Sequence, residues 1–83
     1  MTKEDFEALA KVVKKYDLMV ISDEVYEKIY FDGCTHFSMS QIPEVRDNIL
    51  ITNSFSKTYA ITGWRIGYIV GNKKYISQMQ KIQ

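Results

Sequence analysis

Apolar positions in residues 3–16 recur at helical spacing. Phe6, Leu9, Ala10, Val13 and Tyr16 share one face of a predicted amphipathic helix. Thr2 is placed to cap that helix, with Asp5 three positions on, and Lys14-Lys15 suit the carboxyl end of its dipole. The pattern then changes. Leu18-Met19-Val20-Ile21 is a continuous apolar run, predicted as a strand buried on both faces. Residues 23–30 turn away from it, with room for one helical turn. Asp32-Gly33 marks a turn, and 34–48 reads as a connector with a short helix after Pro43. Ile49-Leu50-Ile51-Thr52 is a second buried strand. Ile66-Gly67-Tyr68-Ile69-Val70 is a third, closed by Gly71-Asn72. Asn72 is expected to cap a last helix in which Ile76, Met79 and Ile82 face inward. Helix–strand alternation predicts an α/β layer, and no repeat, linker or low-complexity tract divides residues 1–83.

Composition adds a constraint of size. A chain of 83 residues is within single-domain range, and a domain this small buries only roughly 60–65% of its unfolded surface. Six Tyr, four Phe and one Trp are many large side chains for so short a chain to cover, as in a slice through a larger core. The net charge of +1, with acidic and basic residues interspersed, provides no stripe for nucleic acid or membrane. A single cysteine, Cys34, excludes an internal disulfide and fits a reducing compartment. No apolar run approaches a membrane span and the first residues lack a signal-peptide core, so a cytoplasmic protein is expected.

Two polar clusters directly follow buried strands, and carboxyl ends of parallel strands are where open α/β sheets bind ligands. The richer cluster runs from Asn53 to Gly67 and holds Ser54, Ser56, Lys57 and Arg65. A lysine amine condenses with an aldehyde once its pKa is lowered or an imine is already formed. An arginine fork with nearby hydroxyls holds a phosphate. Pyridoxal phosphate carries both groups. The second cluster, Ser22-Asp23-Glu24-Val25-Tyr26, offers a carboxylate for a pyridine nitrogen and a phenol three residues on.

The run Ser54-Phe55-Ser56-Lys57 through Gly63-Trp64-Arg65-Ile66-Gly67 resembles the lysine-attachment motif of class I/II aminotransferases, fold-type-I pyridoxal-phosphate enzymes. Ile21-Ser22-Asp23-Glu24-Val25-Tyr26-Glu27 is similar to the family's motif around its pyridine-binding aspartate. Two motifs in the right order are far more specific than a lone Ser-x-x-Lys. The resemblance implies that residues 1–83 are part of the large three-layer α/β/α domain, whose mostly parallel sheet carries one antiparallel strand, here the third. It implies that Lys57 is the catalytic Schiff-base lysine and proton shuttle. Asp23 then keeps the pyridine ring protonated, and Tyr26 donates to the cofactor O3′. Ser54, Ser56 and Arg65 cradle the phosphate, with Ser56 at a variable position. The resemblance further implies transamination between an amino acid and a 2-oxo acid in a homodimeric parent. The family's substrate-clamping arginine, ring-stacking aromatic and pyridine-supporting asparagine have no counterpart among these residues. The chain alone is therefore expected to be incompetent.

Other readings stay open. Serines and an aspartate at strand ends commonly cap local turns, Tyr26 alone fits an amphipathic core position, and Lys57 alone fits a solvated surface. A non-catalytic remnant acting as a binding module, a related carbon–sulfur lyase and a generic phosphate-binding module are the rivals. Neither a G-x-G-x-x-G nor a G-x-x-x-x-G-K-[ST] fingerprint is present to favour the last. Trp64 and Gly63 are read as packing and turn residues. Glu24, Glu27 and His36 are read as solvated, Cys34 shows no nucleophile pattern, and no metal site is expected.

Overall fold

The first helix begins where its capping signals predict. In the computed structural model, which describes residues 1–83, α1 spans Lys3–Tyr16. The Thr2 hydroxyl accepts from the Asp5 N–H, and the Asp5 carboxylate accepts from the Thr2 N–H at 2.7 Å, a complete capping box. Asp17 closes the helix in the left-handed region (φ 48°), and the Leu18 N–H donates to the Val13 carbonyl. Leaving the helix thus consumes Leu18 and Met19. Strand β1 runs Val20–Asp23 rather than 18–21, because pairing begins only at Val20↔Ile49.

Strand β2 (Ile49–Ser54) pairs in parallel with β1 and antiparallel with β3 (Gly67–Gly71), in the order β1-β2-β3. The third strand is antiparallel, as the resemblance implied. β2 extends two residues past the expected Thr52, since Asn53 and Ser54 pair with Tyr68 and Gly67. Between β1 and β2 the chain makes i→i+3 turns at Glu24–Glu27 and Tyr26–Ile29, followed by 3-10 turns at Met39–Gln41 and Pro43–Asn48. Asn48 fixes this connection to the end of α1, donating to Asp17 Oδ1 at 3.0 Å and to the Leu18 carbonyl at 3.1 Å. Helix α2 (Phe55–Thr58) follows β2, and α3 (Lys73–Ile82) starts at Asn72, whose side chain accepts the Lys74 N–H.

The main core cluster lies on one side of the sheet, and Leu50 is buried alone on the other. Ala10, Val13, Met39, Val45 and Ile49 form the cluster, with Phe6, Val20, Ile42 and Ile51 packed around them. Burial on both faces holds for β2, where the successive residues Ile49 and Leu50 are 2% and 5% exposed, but not for the outer strands: Ile21 is 69% exposed and all of β3 is exposed. On α1, Leu9 and Tyr16 also stay outside the core, at 44% and 61% exposed, while Ala10 and Val13 are buried. The inward face expected of α3 is open too. Ile76, Met79 and Ile82 line a concavity of about 760 Å³ shared with Tyr68 and Ile69, and Ile82 is 88% exposed. The molecule is a slab, 42 × 40 × 14 Å. Its radius of gyration of 14.2 Å exceeds the roughly 12 Å expected of a compact chain this long.

Candidate functional site

Strand direction gathers the candidate residues at one end of the sheet. Asp23 ends β1, Ser54 ends the parallel β2 two positions beyond the Asp23↔Thr52 pair, and Gly67 opens β3 opposite Ser54. Arg65 lies two residues before Gly67, so the Ser54–Arg65 segment leaves and re-enters the sheet at the end where Asp23 sits.

That segment is folded on itself. Ser54 has extended backbone and its hydroxyl accepts the Ser56 N–H at 3.2 Å, capping α2. The Phe55 N–H donates to the Ile66 carbonyl and the Ile61 N–H to the Ser56 carbonyl, closing the loop across its base. Phe55 packs against Tyr59 and Tyr68, with ring centroids at 5.8 and 5.5 Å. Ala60 (φ 53°) and Arg65 (φ 54°) occupy the left-handed region, which disfavours residues with a Cβ by about 1–2 kcal/mol each. Such strain concentrates in segments that hold ligands or do chemistry. Trp64, expected to pack, is 73% exposed, and Gly63 has open space where a Cβ would stand.

Lys57 is exposed and makes no salt bridge or hydrogen bond. Its Nζ stands 5.7 Å from the centroid of the Tyr26 ring. Two residues that the motifs single out, 31 positions apart, are thereby brought together. The Asp23 carboxylate accepts the Val25 N–H through Oδ1 at 3.2 Å, a local turn contact that leaves Oδ2 free. Arg65 donates through one guanidinium nitrogen to the Thr62 carbonyl at 3.1 Å and is otherwise free to take an anion. The capping roles foreseen for Asp23 and Ser54 are therefore both observed, and each leaves acceptor or donor capacity unused. Concavities of about 760, 540, 490 and 460 Å³ are lined by other residues.

The reading of Glu24 as solvated requires correction, whereas His36 is exposed as expected but hydrogen-bonded. Glu24 is 8% exposed, and a buried carboxylate needs donors. It has three: Ser22 Oγ at 3.1 Å, Ser38 Oγ at 2.8 Å and His36 Nε2 at 3.0 Å. Glu27 is half-buried beside them. Glu24, Glu27 and His36 each bring a ligand atom within 4.8 Å of the others, but the hydroxyl and imidazole donors already account for the Glu24 oxygens. Sequence offered little warning, because those donors lie two, twelve and fourteen positions from Glu24.

The family model "Aminotransferase class I and II" matches residues 1–83. The chain belongs to the class I and II aminotransferases. It is 42% identical over 79 residues to aspartate aminotransferase of Bacillus sp. (strain YM-2), covering 94% of this chain and 20% of that protein. It is 46% identical over 78 residues to a bifunctional aspartate and glutamate/aspartate-prephenate aminotransferase of Petunia hybrida, covering 93% and 16%. Among solved structures, an aromatic aminotransferase from Pyrococcus horikoshii OT3 superposes with a TM-score of 0.95 at 40% identity, covering 99% of this chain and 22% of that one. The chain spans about a fifth of the length of the aminotransferases it matches. The same superposition places its three strands in the aminotransferase fold. No helix is long and apolar enough to cross a membrane.

Proposed function

We propose that residues 1–83 are the cofactor-lysine region of the large domain of a pyridoxal-phosphate-dependent aminotransferase. The parent enzyme moves an amino group between an amino acid and a 2-oxo acid as a cytoplasmic homodimer. The observation carrying this reading is the unpaired Lys57 amine held over the Tyr26 ring at the sheet end where Asp23 and Ser54 terminate their strands.

The donor set matches the chemistry of the cofactor. Bound there, pyridoxal phosphate supplies an aldehyde for covalent capture of amines and a protonated ring that delocalises a carbanion. Lys57 would hold the aldehyde carbon through Nζ and, once displaced, carry the proton to and from the substrate α-carbon. Asp23 would hold a proton on the ring nitrogen through its free carboxylate oxygen. Tyr26 would donate a hydrogen bond from its phenol to the cofactor O3′. Ser54, Ser56 and Arg65 would bind the phosphate and so orient the ring, Arg65 through its fork.

In this reading the chain by itself is a poor enzyme. Only 8 of 83 residues are buried, and Lys57 is exposed to water that a working site must exclude. Borohydride trapping of pyridoxal phosphate followed by peptide mapping tests the assignment in the 83-residue chain. Lys57 is expected to be labelled in preference to the other eight lysines, weakly and without saturation. Equal labelling of all nine would favour the remnant reading instead.

A further inference from the structure

Four parts of the structure meet at Glu24. Its backbone N–H donates to the Thr52 carbonyl of β2 at 2.9 Å, and its carbonyl accepts the Glu27 N–H that closes the turn carrying Tyr26. Its side chain takes Ser22 of β1 and Ser38 on one oxygen and His36 on the other. Ser38 in turn contacts the Ser40 hydroxyl at 2.8 Å and caps the Met39–Gln41 turn. Tyr26 itself is 58% exposed and makes no hydrogen bond through its hydroxyl. Within the turn after β1, the side-chain hydrogen bonds to distant residues are those of Glu24; the Asp23 bond is local.

We propose that Glu24 is a positioning residue for the lysine site. Its carboxylate, locked by His36 and Ser38, fixes the 24–27 turn and thereby holds Tyr26 against Lys57. The consequence for cofactor capture rests on the reading of Lys57 given above; the geometric claim does not. A buried carboxylate is costly to leave without donors, so its retention at a strand end calls for a role that a neutral side chain would fill less well. Three donors from two segments provide that role: Ser22 lies on β1, and His36 and Ser38 tie the turn to the connector that leads into the Met39–Gln41 turn. Glu27 and Asp23 are the acidic neighbours, and neither makes a hydrogen bond to the His36–Ser38 segment.

The test uses the 83-residue chain and nuclear Overhauser contacts between the Tyr26 ring and the Lys57 side chain. The core contact between Val13 and Val45 serves as the internal standard. Glu24→Ala is expected to weaken the Tyr26–Lys57 contact severalfold while the core contact persists, and Glu24→Gln, which keeps acceptor and shape, to restore most of it. Unchanged Tyr26–Lys57 contact in a folded Glu24→Ala chain overturns the proposal. If that variant loses its circular-dichroism signal, His36→Ala and Ser38→Ala decide. Each removes one anchor and should weaken the contact, and no weakening in either overturns the proposal. Borohydride labelling at Lys57, run in parallel, should fall in Glu24→Ala and recover in Glu24→Gln. Absence of Lys57 labelling in the unsubstituted chain would count against the cofactor reading alone, because the Tyr26–Lys57 contact is scored independently.

Discussion

Truncating Ile49 tests where the stability of this chain resides. Ile49 is 2% exposed and packs in the cluster of Ala10, Val13, Met39 and Val45. Ile49→Ala removes three carbons, about 2.4 kcal/mol at roughly 0.8 kcal/mol per methylene, before any cavity is counted. The cavity term brings the expected loss to about 2–5 kcal/mol. Folded domains hold about 0.05–0.15 kcal/mol per residue, and a slab with 8 buried residues belongs at the bottom of that range, near 4 kcal/mol. Ile49→Ala therefore removes half or more of the total. Ile49→Val should cost only about 0.5–1.5 kcal/mol. Ile82, 88% exposed on α3, is the control, and Ile82→Ala should change stability by less than about 0.5 kcal/mol. Urea titration followed by far-ultraviolet circular dichroism, at one fixed sulfate concentration, measures all three. A loss at Ile82 equal to that at Ile49 would refute a main core cluster on the α1 side of the sheet.

Two further outcomes follow from local geometry. A Cβ at Gly71 would collide with the Leu50 side chain and come within 3.0 Å of the Ile49 carbonyl, so Gly71→Ala should destabilise the chain by about 1–3 kcal/mol in the same titration. The hydrogen bond from the Thr2 backbone holds the Asp5 carboxyl below its ordinary value of 3.8. Its contribution is then complete above that value and is lost as pH falls through the lowered one, so α1 helicity should decline below about pH 4, a dependence that Asp5→Asn reduces, the rest belonging to the lowered Glu4 carboxyl.

Local signals were the legible part of this sequence. Thr2 with Asp5, and Asn72 with Lys74, make their caps by contacts within three residues, and the structure contains both. The start of β1 was misplaced because the left-handed Asp17 spends Leu18 and Met19 on leaving α1, and apolarity cannot reveal a turn. Periodicity marked Ile82 as inward, yet a periodic face says only which residues would be covered, and α3 leaves that one open. At the site, motif spacing named Lys57 and Tyr26 together, and their 5.7 Å approach follows from parallel pairing of β1 with β2. Glu24 escaped notice for the opposite reason. Its donors converge only after the Met39–Gln41 turn has folded back over β1.

The central claim is that this segment can serve as the cofactor-lysine region of an aminotransferase. Substituting residues 1–83 for the aligned region of the Bacillus sp. aspartate aminotransferase, 42% identical over 79 residues, tests it most directly. The chimera should take up pyridoxal phosphate stoichiometrically, yield a borohydride-trapped adduct at Lys57 and transaminate. In the chimera, Lys57→Ala should lose the adduct. A folded chimera that takes up no cofactor, or whose adduct maps to a different lysine, would contradict the account.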